Sequence, residues 1–251
     1  MDASRGECAV LKAEVPCIRV IAETGSTNSD MLALAAAGAE EGCWLRAERQ
    51  TAGRGRLGRN WVSPPGNLHS STLVRLRADD PPAATLALVA AIAIYETANS
   101  FLGGQHAGLR LKWPNDLMLD GAKLSGTLLE RSGPVVVIGI GVNVATAPDI
   151  TGRATTSLAS YGVDTTAASF LDALSGAFAH WLAHWRDGGL AKVRARWLEY
   201  AYPVATALTV KLPDGGTLQG FFDGLDSHGA LLLRQTSGER RVVHAGDISL
   251  T

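Results

Sequence analysis

"LRLKWPNDLMLDGAKLSGTLLERSGPVVVIGIGVNV", Leu109 to Val144, decides how this chain folds. Asp120-Gly121 and Gly133-Pro134 are strong turn pairs, and they divide short runs rich in Leu, Val and Ile. The segments LRLKW, DLMLDGAKLSGTLLE and VVVIGIGVNV are therefore expected to be adjacent antiparallel strands. Several residues in them sit badly with packing alone. Asp116 precedes Lys123 by seven positions, across the predicted hairpin turn, so a carboxylate and an ammonium should face each other near a common strand end. A surface pair contributes only about 0–1 kcal/mol, so stability alone is a weak reason for it. Gly126 follows within the same strand, and Gly139 and Gly141 interrupt the next. Strand glycines mark close approach by a ligand or another backbone. Asn143 adds an amide to a strand that otherwise favours burial; it is either satisfied at a bulge or stands at the rim of a slot.

Outward from this meander, strands are expected at Ile18–Ala22, in CWLRAERQ (43–50) and in LHSSTLVRL (68–76). Ser26, Thr27 and Asn28 are suited to capping a helix carried by Met31, Leu32, Leu34 and Ala35, with Gly38 as its stop. A long helix is expected over Ala83–Phe101, and two more follow in SFLDALSGAFAHWLAHWRD and LAKVRARWLEYA. From Pro203 the texture changes to short alternating strands broken by Asp-Gly, Gly-Gly, His-Gly and Ser-Gly turns, the pattern of a small β-barrel. Residues 1–203 and 204–251 are the expected domains.

The 251 residues carry a formal net charge of -1, with 46% hydrophobic and 19% charged residues. That balance fits a soluble protein with a sizeable core and disfavours wholesale DNA or membrane binding, so any basic site is local. Cys8, Cys17 and Cys43 are odd in number and lack CxxC spacing, as expected of reduced thiols rather than a disulfide scaffold or zinc site. The start has acidic residues and no apolar core of a secretory signal. Its longest apolar runs, beginning at Ala83 and Pro134, fall short of the roughly 18 residues of a membrane span. A cytoplasmic location is the expectation.

One local basic site is evident. QTAGRGRLGRNW, Gln50 to Trp61, sets Arg54, Arg56 and Arg59 among Gly53, Gly55 and Gly58. Glycines let backbone N–H groups approach a ligand, and arginines add forked donors, which suits phosphate or a phosphate ester. A solvated basic loop, or one touching RNA without specificity, fits the same residues. The glycines and the charge repulsion predict disorder in the empty loop. It is no P-loop, because GxxxxGK[ST] is missing.

Taken in order, STNSD, RQTAGRGRLGRNW, SPPGNL, KWPNDL, KLSGTLLE, IGIGVNV and the tail GLDSHGALLL…HAGDISL resemble a biotin protein ligase over nearly the whole chain from Ile21. The resemblance implies an α+β catalytic domain on a mixed β-sheet flanked by helices, as in class II synthetases, followed by an SH3-like barrel. It implies ATP and biotin as substrates, Mg²⁺ as cofactor with ATP, biotinyl-5′-AMP as intermediate, and a lysine of a biotin carboxyl carrier protein as acceptor. By position, Ser26, Thr27, Asn28, Gln50, Gly53, Arg54, Gly55, Arg56, Lys123, Gly126 and Gly141 are implied at biotin. Arg54, Arg56, Arg59, Trp61, Lys123 and Asn143 are implied at the adenylate, with Lys123 and Arg56 carrying catalysis. Asn115 and Asp116 either orient that cluster or shape the turn, and no protein residue is implied as a firm metal ligand. Leu57 and Thr127 depart from the family pattern. With Ser26 so near the start, no DNA-binding domain is expected, and a homodimer would pair edge strands around Val135 to Val144.

Other readings stand against this one. Lipoate and octanoyl ligases share the fold, but their RRxxGGGxVxHD-type strand is missing here. A non-catalytic RNA- or effector-binding module using the basic loop has no use for Lys123-x-x-Gly126 or IGIGVN at these spacings, and the net charge of -1 also disfavours it. A non-catalytic biotin- or nucleotide-binding module is a further alternative.

Overall fold

The computed structural model describes residues 17–104 and 106–250; Cys8 and the start of the chain, read above, lie outside them. The elements run β1 (Ile18–Thr24), α1 (Thr27–Ala36), β2 (Trp44–Gln50), β3 (Leu68–Arg75), α2 (Leu86–Phe101), β4 (Leu109–Lys112), β5 (Asp116–Leu119), β6 (Ala122–Ser132) and β7 (Val135–Val142). Two helices follow, α3 (Ala167–Asp187) and α4 (Gly189–Tyr200). Then come β8 (Ala207–Lys211), β9 (Thr217–Leu225), β10 (Leu231–Arg234), β11 (Arg240–Val243) and β12 (Asp247–Leu250).

The meander forms as its turns require. β4 to β7 pair antiparallel in sequence, and Asp120 and Gly121 both take positive φ, 48° and 79°, as a tight hairpin turn demands. These strands make one half of a seven-stranded sheet of order β1-β2-β3-β7-β6-β5-β4. Only β1 and β2 run parallel, so the sheet is mixed. One expectation is overturned here. All eight residues of β7 pair with β3 on one side, and all eight also pair with β6 on the other. β7 is central rather than an edge, and Val135 to Val144 offer no edge for a homodimer.

Period-two alternation along β7 assigns its faces. Val136, Ile138, Ile140 and Val142 enter the main core with α2 and α3, whereas Val135 and Val137 pack with Met31 and Ala35 of α1. Gly139 and Gly141 continue that second face. The helix expected over Ala83–Phe101 opens with a 3₁₀ turn at Ala83–Thr85. By length and composition it could cross a bilayer, longer than its apolar run suggested, but eleven residues of α2 are buried inside the fold.

β6 departs from regular pairing at one place. Its paired residue jumps from Lys123 to Ser125 while β5 advances by one residue, from Met118 to Leu117. The extra residue is a bulge, which re-aims the side chain beside it. Leu124 enters the main core, and Lys123 therefore shares a face with Gly126.

The C-terminal strands form a five-stranded antiparallel sheet of order β11-β10-β9-β8-β12. Leu208, Val210, Phe222, Leu231 and Leu233 join the main core cluster. Trp113 Nε1 donates to the Gly229 carbonyl at 3.1 Å, tying this sheet to the end of β4.

Candidate active site

A cavity of 590 Å³ opens on the glycine face of the large sheet, under the Gln50–Trp61 loop. At one end stands the start of α1. Ser26 is its N-cap but makes no side-chain capping bond, so capping does not account for these polar residues. Thr27 and Asn28 are buried, with side chains turned to the cavity. Gln50 Oε1 accepts from Thr27 N at 2.8 Å and from Thr27 Oγ1 at 3.0 Å. Ser71 Oγ hydrogen bonds to Thr27 Oγ1 and Asn28 Oδ1 at 2.7 and 2.6 Å. Asn28 Nδ2 donates to Glu130 Oε2 at 2.7 Å. A Cβ on Gly139 would collide with the Asn28 amide, which gives that strand glycine its steric reason.

The loop closes on itself where it starts. Trp61 N donates to Gly53 O at 2.9 Å, and a Cβ on Gly53 would press on the Trp61 carbonyl. Gly55 N donates to Arg59 O at 2.7 Å. Leu57, with φ of 56°, points outward and is 68% exposed. The three arginines do not act as one patch. Arg54 turns back to Glu130 at 3.0 Å and to Ser29 at 3.1 Å. Arg56 and Arg59 turn to the C-terminal sheet instead. Arg59 Nη2 lies 2.9 Å and Arg56 Nη1 3.6 Å from Asp247 Oδ1, and Arg56 Nη2 donates to Gly246 O at 3.1 Å. The repulsion on which the expectation of disorder partly rested is offset, because Asp247, far away in sequence, supplies a counter-charge to Arg56 and Arg59. Burial nevertheless draws the Arg56 guanidinium below its ordinary range, against the pull of Asp247 and Asp116.

Lys123 sits at the centre. Its Nζ donates to Asp116 Oδ1 at 2.5 Å, and Lys112 approaches Asp116 Oδ2 at 3.2 Å. The two members of the closer pair are only 20% and 14% exposed. Burial would raise the Asp116 carboxyl, but Lys123 and Lys112 outweigh it and hold it below the usual range. Burial also lowers Lys123, and Asp116 offsets that only in part. Asn115 receives Arg56 Nη1 at 3.5 Å and hydrogen bonds to the Thr127 carbonyl. The Trp61 indole lies on the floor made by Gly126 and Gly141, where any added Cβ would meet its ring. Lys123 Nζ is 5.6 Å from that ring's centre.

Asn143 is placed differently from the sequence reading. It is 3% exposed and does not line the cavity. Its Nδ2 donates to Thr156 O at 2.9 Å and Lys123 O at 3.3 Å, and its Oδ1 accepts from Asn67. Its amide is thus consumed behind the site, where it holds the backbone of Lys123. Gly53 likewise stays at the loop base outside the cavity wall.

Residues 20–144 match the Biotin/lipoate A/B protein ligase family, and residues 209–251 match the Biotin protein ligase C terminal domain. A Biotin--[acetyl-CoA-carboxylase] ligase of Paracoccus denitrificans is 39% identical, the match covering 91% of this chain and 98% of that protein. The chain belongs to the biotin protein ligase family. A second family member of the same name, from Mycobacterium tuberculosis, is 36% identical over 91% of this chain and 87% of its own length. The fold of the Aquifex aeolicus biotin protein ligase, solved in complex with biotin and ATP, superposes with a TM-score of 0.81 at 26% identity, covering 94% of this chain and 98% of that one.

Beside the residues assigned from sequence, the cavity of this family member is walled by residues to which no role was assigned. These are His69 and Ser70 on β3, Arg153 to Thr155 on the segment after β7, and Lys211 and Asp247 of the C-terminal sheet. Glu130, the last residue of KLSGTLLE, binds both Asn28 and Arg54, a role not assigned to it from sequence. Arg153 follows a glycine in ITGR, the one local hint of a second basic loop. His69 carries no such hint, being a lone histidine in an alternating strand, while Asp247 stands in the quoted HAGDISL without an assigned role.

Proposed function

We propose that this chain is an ATP-dependent biotin protein ligase that makes biotinyl-5′-AMP and then passes biotin to a lysine of a biotin carboxyl carrier protein. The observation that carries this reading is the convergence of Lys123, the split arginine loop and an amide–hydroxyl cluster on one cavity. Ser26, Thr27, Asn28 and Gln50 offer the paired donors and acceptors that a ureido ring requires, and Arg54 closes beside them. Arg56, Arg59 and the Trp61 indole form the nucleotide end, with the aromatic face for adenine. Asn143 acts behind Lys123 rather than on the nucleotide. Gly126, Gly139 and Gly141 keep the floor flat.

In the first step a biotin carboxylate oxygen attacks the α-phosphorus of ATP. A carboxyl–phosphate bond forms, the bond to the β-phosphate oxygen breaks, and pyrophosphate leaves with the electron pair. Two anions must approach, and donors already in place lower that barrier. Lys123 is suited to stand between their oxygens as a compact charge, while Asp116 and Asn143 orient it. Arg56 and Arg59, folded over the product, keep out water that would hydrolyse the mixed anhydride. In the second step the acceptor lysine's amine attacks the acyl carbon, forms the amide, loses a proton and releases AMP.

Mg²⁺ fits as a companion of the ATP phosphates. Among the described residues no three His, Cys, Asp or Glu side chains gather. The two carboxylates on the cavity wall, Asp116 and Asp247, are each held by two cations. A cytoplasmic location is compatible with the ATP and carrier substrates of this reading. Any homodimer would have to use another surface than β7; β1 ends the sheet among the described residues and exposes Val20.

Pyrophosphate release separates the alternatives. With ATP, the expected result is turnover with biotin and none without acid; turnover with lipoate or octanoate but not biotin would assign the chain to the lipoate branch of its family.

A further inference from the structure

We infer that His69 is the positioning residue for the Trp61 indole, and that it works only as the neutral, Nε2-protonated imidazole. The inference rests on the reading of Trp61 as a wall of the nucleotide end. His69 lies on β3 directly opposite Gly141 of β7 and is 1% exposed. Trp61 Nε1 stands 3.3 Å from His69 Nδ1, and His69 Nε2 stands 3.4 Å from the Pro64 carbonyl. An indole nitrogen can only donate and a carbonyl can only accept. Nε2 must therefore carry the proton and Nδ1 must be bare, so one tautomer and one charge state satisfy both contacts.

The indole needs such a holder. Its floor is Gly126 and Gly141, which have no side chains to restrain it sideways. At the backbone Trp61 is tied to the base of the loop. His69 is the side chain that hydrogen bonds the ring. A proton on Nδ1 would set one N–H against another and release the indole.

The surrounding charges say where that happens. Glu48 of β2 acts on His69 and favours the proton, as does the Pro64 carbonyl, but burial outweighs both and lowers the imidazole below its ordinary range. Lys123 of β6 meets the indole ring itself, its Nζ 5.6 Å from the ring centre. The facing stretch of β7, Gly139 to Val142, carries no charge. As pH falls through the depressed value, below the ordinary histidine range, grip on the nucleotide should weaken.

Steady-state KM values for ATP and for biotin, measured over a pH series, test this with three variants. His69→Phe keeps bulk but removes the acceptor, and should raise KM for ATP about three- to tenfold, well beyond its effect on KM for biotin. In a Trp61→Phe background the same change should add nothing further, because the two residues act as one unit. His69→Gln keeps an acceptor that does not titrate, and should retain affinity while flattening the acid limb of the ATP profile. An unchanged acid limb in His69→Gln overturns the inference. So does an equal His69→Phe effect with and without the Trp61 indole, which is the result of general packing. If Trp61→Phe raises KM for ATP and His69→Phe does not, His69 alone is wrong; if Trp61→Phe leaves it at the native value, the nucleotide-wall reading falls as well.

Discussion

Lys123 reaches the cavity because β6 carries one residue too many at that point. Without the bulge, strict alternation would put Lys123 and Gly126 on opposite faces. Lys123→Ala should lower adenylation by about two to three orders of magnitude, in the range seen when a preorganised donor is lost. Its melting temperature should stay near native, because Asp116 retains Lys112 as a partner; normal adenylation in this variant would remove Lys123 from the mechanism. Thr127 offers a test of packing instead. Its Oγ1 is buried without a hydrogen-bond partner, so Thr127→Val should raise stability by about 1–2 kcal/mol, the desolvation cost of an unpaired hydroxyl. Thermal unfolding would check this, and a lower midpoint would count against it. At this scale the local pairs were legible: Asp116 and Lys123 straddle a readable turn. Asn143 was not, because its partners Asn67, Lys123 and Thr156 come from three separate segments.

Among the elements, the Gln50–Trp61 loop shows what composition hides. Three arginines within six residues read as one charge, yet Arg54 serves Glu130 while Arg56 and Arg59 serve Asp247. The expected division of labour is that Arg54 covers the acyl end and the other two cover the phosphate. Arg56→Gly should then leak biotinyl-AMP and label lysines on an added non-substrate protein severalfold faster than the native chain. Unchanged bystander labelling would mean that Arg56 does not guard the adenylate. The glycine strands were legible as sites of close approach, since a glycine inside a β-branched run loses packing for no local gain. What approaches them was not: Asn28 reaches Gly139 from α1, and Trp61 reaches Gly141 from the loop. The meander was legible from its turns, whereas the central position of β7 was not, because β3, its second neighbour, lies sixty or more residues upstream.

Across the whole molecule, the small C-terminal sheet is part of the cavity wall. It contributes Lys211, Asp247, Ile248 and Ser249 to the wall, and Gly246 O and Asp247 hold the loop arginines. Asp247→Ala should therefore resemble Arg56→Gly, with adenylate release faster by severalfold and KM for biotin little changed. Release at the native rate would confine this sheet to other work, such as carrier docking. The sheet itself was legible from its closely spaced turn pairs; its docking was not, because a contact 190 positions apart in sequence leaves no local pattern. The most direct test of the account is to incubate the chain with ATP and either biotin or lipoate, and quantify the bound acyl-adenylate by mass spectrometry before and after adding a biotin carboxyl carrier protein. The account predicts about one biotinyl-5′-AMP per chain, consumed as the carrier's lysine becomes biotinylated. A chain that accumulates only a lipoyl adenylate, or none with either acid, would contradict it.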